Sequence, residues 1–303
     1  MRICSIGECM IELSNIEHNI FRQNFAGDTA NSAIYLSRLG AKSSYISSTG
    51  KDFLSKKMLK FLNDEKVKTH NIFMNINKTL GLYLIQNNQN GERNFFYWRS
   101  NSAAKTLLKN VNSKVLFKQI SKYDAIYFSG ITLSIYDQKS NEKFYKILKS
   151  LKAKNIKIYF DFNVRLNNWK SKTIALQTII KFSRIADIIF MTKDDLNNLG
   201  LRNYKSIIKS NYNKKIAVLR SSNGEVSVYN KDNFQNYKLH LNKKVKDTTG
   251  CGDAFNACFL YNYFNNKNIK DCIKFSHELG KTVAKFKGAI IPKQNFNPKL
   301  YVI

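Results

Sequence analysis

Residues 247–255 read Asp247-Thr248-Thr249-Gly250-Cys251-Gly252-Asp253-Ala254-Phe255. Two glycines flanking one residue permit a tight turn and a close backbone approach. The apolar positions that follow, among them Cys258, Phe259, Tyr261 and Tyr263, carry a helical pattern. A turn of this kind leaves the N–H groups of Gly250, Cys251 and Gly252 at a helix N-terminus. That is a place that holds anions, phosphate above all. A carboxylate at Asp253 would repel a phosphate unless it had other work. Accepting the proton of a hydroxyl as it attacks phosphorus is such work. A plain helix cap would use the same residue type, and it is the nine-residue context that favours chemistry.

Working outward, short β-rich runs alternate with helical patterns, which predicts a mostly parallel sheet between helices. Core strands are expected at Ile3–Gly7, Tyr45–Ser48, Ala125–Ser129, Ile156–Phe162, Asp187–Met191 and Ile216–Leu219. Several are continuous apolar runs, as a sheet covered on both faces requires. Helices are expected at Thr29–Leu39, Phe53–Asn63, Asn141–Leu151, Thr173–Phe182, Cys251–Phe264 and Lys270–Phe286. Residues 80–99 break the alternation and read as an antiparallel hairpin turning at Asn90-Gly91. With part of 9–25 it would form a small β-lid on a single domain spanning 1–303.

The composition bounds the function. No apolar run reaches the roughly 18 residues of a transmembrane helix, and Glu8 and Glu12 interrupt the N-terminal region where a signal peptide would be apolar. A cytoplasmic protein with no membrane partner is expected. Fifty Lys and Arg against 21 Asp and Glu leave a net charge of +29. Such an excess can mark a polyanion binder. Here the lysines are scattered, and the abundance of Lys, Asn and Ile fits AT-rich codons, so no nucleic-acid partner is expected. Five cysteines, an odd count with no CxxC pair, argue against structural zinc and against a disulfide framework.

The stretch DTTGCGDAF resembles the C-terminal signature of the PfkB (ribokinase-like) sugar kinases. Ala26-Gly27-Asp28-Thr29-Ala30-Asn31-Ser32-Ala33, followed by Gly40 and Gly50, resembles their N-terminal signature, with Thr29 where a second small residue is usual. The resemblance implies a three-layer α/β/α ribokinase-like fold with a β-lid. It also implies ATP, Mg²⁺ and a monovalent cation near the C-terminal loop. Asp253 would be the base, and the amides of Gly250, Cys251 and Gly252 the anion hole, with Gly250 and Gly252 also contacting nucleotide. Cys251 stands where the family usually has Ala. A thiol at a helix start is expected to have a lowered pKa and to be open to alkylation.

Within that family the chain is most similar to kinases of 2-keto-3-deoxygluconate. The segments IGECMIEL (6–13), GDTANSAIYLSRLG (27–40), GLYLI (81–85), GERNFFYWRSNSAA (91–104), DFNVRLNNW (161–169) and KGAIIPK (287–293) carry this in order. The implied reaction moves the ATP γ-phosphate to the 6-hydroxyl of 2-dehydro-3-deoxy-D-gluconate. Gly27, Asp28, Asn31, Tyr83, Tyr97, Arg99 and Arg165 would bind the sugar acid, and Arg165, Asn163, Ser222 and Gly224 would serve the nucleotide. A guanidinium suits a carboxylate through paired hydrogen bonds. Tyr83 and Tyr97 can share one face of the hairpin, as substrate contacts or as a cross-strand core pair. Fructose, ribose, the galacto epimer, or ligand binding without turnover are the competing readings. Asp195 is a candidate for magnesium through water, with no metal ligand assigned. His277 and Gly288-Ala289-Ile290 are expected to flank adenine. The exposed lid edge invites pairing into a homodimer or a larger homo-oligomer.

Overall fold

The computed structural model describes residues 1–17, 20–87, 93–201, 215–230, 233–242 and 245–302. The strands, in chain order, are β1 (Arg2–Ile6), β2 (Met10–Glu17), β3 (Ile20–Ala26), β4 (Lys42–Ile46), β5 (Ser48–Thr49), β6 (Phe73–Met74), β7 (Leu82–Asn87) and β8 (Arg93–Trp98). They continue with β9 (Ala125–Ser129), β10 (Lys157–Asp161), β11 (Ile188–Thr192), β12 (Ile216–Arg220), β13 (Glu225–Asn230) and β14 (Asn233–Lys238). The α-helices are α1 (Asp28–Arg38), α2 (Phe53–Asp64), α3 (Leu107–Asn110), α4 (Ser113–Ile120), α5 (Gly130–Ser134), α6 (Gln138–Ala153), α7 (Lys172–Ser183), α8 (Lys193–Leu199), α9 (Cys251–Phe264) and α10 (Ile269–Val283).

The central sheet runs β14-β13-β12-β11-β10-β9-β1-β4. Its six strands from β12 to β4 are parallel, and β13 and β14 append antiparallel. Side chains alternate between two cores, as a strand's period of two demands. Ile126, Phe128, Ile158, Phe160, Ile189 and Met191 join one cluster, with Phe144 and Leu148 of α6 and Ile179 and Phe182 of α7. Their neighbours Ala125, Tyr127, Tyr159, Ile188 and Phe190 join the other, with Tyr35 and Leu36 of α1, Phe259 of α9 and Leu279 of α10. Both faces are therefore covered, which is why these strands read as near-continuous apolar runs.

Each of the six expected core strands and six expected helices is present, with its ends shifted by a few residues at most. The alternation missed β13 and β14. Their sequences, EVSVYN and NFQNYK, are half polar and rich in Asn, a residue depleted in strands. The lid is a second sheet of order β3-β2-β7-β8. It draws as much on 10–26 as on the hairpin, because β2 pairs with β7 in parallel. The hairpin arms pair Leu82 with Trp98 through Asn87 with Arg93; the Asn90-Gly91 turn lies outside the described residues. Among the described residues no helix is long and apolar enough to cross a membrane.

Candidate active site

The parallel strands end at one edge, and the cavity lies there, where ligands of open α/β sheets bind. Its volume is about 1190 Å³, above the roughly 300–1,000 Å³ of a single-ligand pocket. Asp161 comes from the end of β10, Thr192 from the end of β11 and Arg220 from the end of β12; Tyr83, Phe95 and Tyr97 reach it from the lid.

Asp253 sits in the first turn of α9, 9% exposed. It accepts a hydrogen bond from Asn31 Nδ2 at 2.8 Å. Burial, then the neighbouring Asp28, pushes its carboxyl up to about 7, against the charge-favouring influence of Asn31, Arg220 and Arg165. Asp28 is itself held by Asn163, whose Nδ2 donates at 2.8 Å. Asn163 turns the chain after β10 at φ 31°, an uncommon value for a non-glycine residue. Gly27, Asp28, Asn31, Asn163 and Arg165 all line the cavity.

Gly250 starts α9 at φ 76° with no capping side chain. A Cβ there would meet Ala289 at 2.6–2.8 Å, so only glycine fits. The Cys251 N–H turns back to the Thr248 carbonyl at 3.2 Å. This corrects the expectation of three open amides: among the described residues Gly250 and Gly252 have N–H groups without a partner, and Cys251 does not. The Cys251 thiol is likewise not activated. Burial, then Asp247 and Asp253, pushes it up to about 12, with Arg220 opposing. The helix start is outweighed because the thiol loses solvent and faces two carboxylates.

Asp247 ties this turn to the C-terminal loop, accepting from Thr249 N at 2.6 Å and Gly288 N at 2.7 Å. Ala289 packs against Met10, Ala26, Tyr83 and Ile85 of the lid, and the Tyr35 hydroxyl donates to its carbonyl at 2.7 Å. The loop 288–290 does not line the cavity, whereas His277, Gly280 and Lys281 do. His277 Nε2 lies 2.8 Å from the His240 carbonyl oxygen.

On the lid, Tyr83 and Tyr97 are direct cross-strand partners with ring centroids 5.9 Å apart, and both line the cavity. The Tyr83 hydroxyl donates to the buried Glu12 carboxylate. Arg99 departs from the expectation. It does not line the cavity; its Nη2 binds Glu8, which also accepts from the Ser102 hydroxyl. The pair is buried, with side chains 11% and 1% exposed, so Arg99 is neutralised behind Tyr97, 6.0 Å from that ring's centroid.

Ser222 lines the cavity and Gly224 does not. Gly224 forms the turn from β12 to β13, its carbonyl accepting from Leu239 N at 3.0 Å. Asp195 lines the cavity. One of its oxygens accepts from Val164 N and the other from Thr192 N and Oγ1, all at 2.7–2.8 Å. It caps α8 and pins the loop that carries Asn163 and Arg165. Two residues escaped the sequence reading. Asp161 is buried beside Asn256, which donates at 2.9 Å, and burial pushes it up to about 8. Arg220 enters the cavity beside Gly252; its position at a strand end was the only sequence signal.

A buried carboxylate beside a helix start with open amides is an arrangement suited to phosphoryl transfer. The chain belongs to the pfkB family of carbohydrate kinases, whose description matches residues 1–295. It is 34% identical to a 2-dehydro-3-deoxygluconokinase of Dickeya dadantii over 96% of each chain. A 2-dehydro-3-deoxygluconokinase structure from Thermotoga maritima superposes with a TM-score of 0.81 at 19% identity, covering 96% of each chain. An uncharacterized sugar kinase of Pyrococcus horikoshii in complex with ATP gives 0.80 at 24% identity, covering 95% of this chain and 93% of that one.

Proposed function

We propose that the protein phosphorylates 2-dehydro-3-deoxy-D-gluconate at its 6-hydroxyl with ATP. The observation that carries this is Asp253, buried in the first turn of α9, held by Asn31 and lining one cavity with Gly250, Gly252 and the lid's Tyr83 and Tyr97. The relatives named for this reaction support the choice of sugar.

Asp253 takes the hydroxyl proton as the oxygen attacks phosphorus. The Gly250 and Gly252 amides meet the charge that spreads over the phosphate oxygens. Asn31 orients the base, and Asn163 holds Asp28 against the sugar. Arg165, which lines the cavity with Nη1 on the Val164 carbonyl at 2.9 Å, is the cation for the acid's carboxylate. Arg99, paired with Glu8 and outside the cavity lining, serves the site by supporting Tyr97, whose ring centroid is 6.0 Å from its guanidinium. Ser222 and the His277 side of the cavity take the nucleotide. The lid excludes water, which limits wasteful ATP hydrolysis.

Mg²⁺ would accompany ATP and neutralise its phosphates. Among the described residues no three His, Cys, Asp or Glu side chains cluster as a metal cage. Such a cation draws most of its ligands from phosphate and water. The loops joined by Asp247 are where a monovalent cation would bind. Five free cysteines accord with a reducing cytoplasm. Both lid edges carry exposed apolar side chains, Phe21 on β3 and Phe96 and Trp98 on β8, and these support a homodimer joined through the lid.

The test is ADP release with Mg-ATP across 2-keto-3-deoxygluconate, its galacto epimer, gluconate, fructose and ribose, with Asp253→Asn beside the native protein. Turnover of the keto-deoxy acid that vanishes in the variant is expected. Turnover of a neutral sugar alone would overturn the carboxylate pocket.

A further inference from the structure

Arg220 is the last residue of β12 and lines the cavity at the start of α9. Its guanidinium carbon lies 5.0 Å from the Phe255 ring centroid. Nη1 donates to the Gly252 carbonyl at 3.3 Å, a long bond. A Cβ on Gly252 would come within 3.1 Å of Nη1, so the glycine leaves room for the cation as well as for an anion. Nε is buried without a partner. Among the described residues Arg220 makes no direct ion pair. A partly buried guanidinium held by a ring face and one carbonyl, with an orphaned donor, is under-satisfied. Its planar fork matches a phosphate.

We propose that Arg220 is a catalytic residue, holding the oxygens of the transferring phosphate opposite the Gly250 and Gly252 amides. In the transfer, the acceptor oxygen bonds to phosphorus as its proton passes to Asp253. The bond from phosphorus to the bridging oxygen breaks, and its electron pair leaves on the diphosphate. Negative charge gathers on the phosphate oxygens and the bridge. The two amides meet it with partial charges, and Arg220 adds a full one without giving up a proton. Arg220 also counters Asp28, which raises Asp253, and it does so together with Asn31 and Arg165.

The inference rests on phosphoryl transfer and not on which sugar accepts. The test compares Arg220→Met, Arg220→Lys and Arg220→Ala with the native protein. In Arg220→Met, kcat should fall about 100-fold or more, as for loss of one transition-state donor, with the melting temperature and the sugar KM little changed. The acid limb of its pH profile should move to higher pH. Arg220→Lys, a point charge, should fall between and carries the test if the methionine variant does not fold. Guanidinium ion should restore part of the Arg220→Ala rate, which a purely structural role would not allow. Calorimetry with a non-hydrolysable ATP analogue and with ADP needs no acceptor: the variant should lose affinity for the analogue and keep it for ADP. An Arg220→Met kcat within about threefold of native, or an Arg220→Ala rate indifferent to guanidinium with both affinities unchanged, overturns the proposal. A native protein inert toward every sugar overturns the substrate reading and leaves Arg220 to be judged on nucleotide binding.

Discussion

Asn31 and Asp253, which are 222 positions apart in the chain, meet at 2.8 Å through one hydrogen bond from Nδ2 to Oδ2. The bond joins the first turn of α1 to the first turn of α9, so both glycine-rich signatures build one base. A donor to a carboxylate favours its charged form. Asn31→Ala removes that help and leaves the burial and Asp28 to act on Asp253. The limb of kcat/KM that the native enzyme should show near pH 7 therefore moves up. The variant should lose about fivefold at pH 7 and recover much of it near pH 9, because a limb that moves up by about one pH unit lowers the ionised fraction at pH 7 from about one half to about one tenth. A pH–rate profile with an unmoved limb would sink this reading.

The same buried carboxylate costs stability. Its folded pKa of about 7 lies above the ordinary 3.8, so between those values the folded state holds a proton that the unfolded state has released. Stability then falls as pH rises through that window, and the penalty is complete above pH 7. Asp253→Asn does not titrate. Its advantage over the native protein should be small near pH 4 and reach a few kcal/mol by pH 8, at about 1.4 kcal/mol per pH unit of that window. Urea unfolding at the two pH values reads the difference. An advantage that is larger at pH 4 reverses the sign and refutes the assignment.

Cys251 is expected to resist alkylation. With its thiol pushed up to about 12, roughly one molecule in ten thousand carries the thiolate at pH 8. Iodoacetamide should leave residue 251 unmodified over hours while a small exposed thiol reacts, as peptide mass spectrometry would show. Cys251→Ala should keep kcat within about twofold, since the residue's N–H is spent on Thr248. Rapid labelling that ATP blocks would restore the activated thiol.

The parallel core was legible because burial on both faces leaves apolar runs with little else in them, as in Ile158-Tyr159-Phe160 of β10. The glycine turn was legible because glycine at 250 and 252 has a spatial cause. What escaped depends on contacts made across the fold. Nothing near residue 99 shows that Glu8, 91 positions away, takes Arg99. Nothing at Asp195 shows that the Val164 and Thr192 N–H groups consume its oxygens. Arg220 only follows an expected strand, and it is the packing of Phe255 against it that reveals a cation beside the glycine turn.

Glu8 and Arg99 set the last expectation, because their pair stands where a free cation was expected. With side chains 1% and 11% exposed, removing either partner strands a buried charge, which costs about 3–5 kcal/mol. Glu8→Ala should therefore lower the urea midpoint more than Ser102→Ala, which removes only the hydroxyl bond to the same carboxylate. Glu8→Ala with Arg99→Met should recover part of that loss, because the double variant leaves no charge unpaired. Arg165 lines the cavity in either background and is the cation proposed for the acid's carboxylate. The double variant should then keep its preference for the sugar acid over fructose, with a raised KM. Loss of that preference would return the carboxylate to Arg99, and strictly additive stability losses would show that the two residues do not act as a pair.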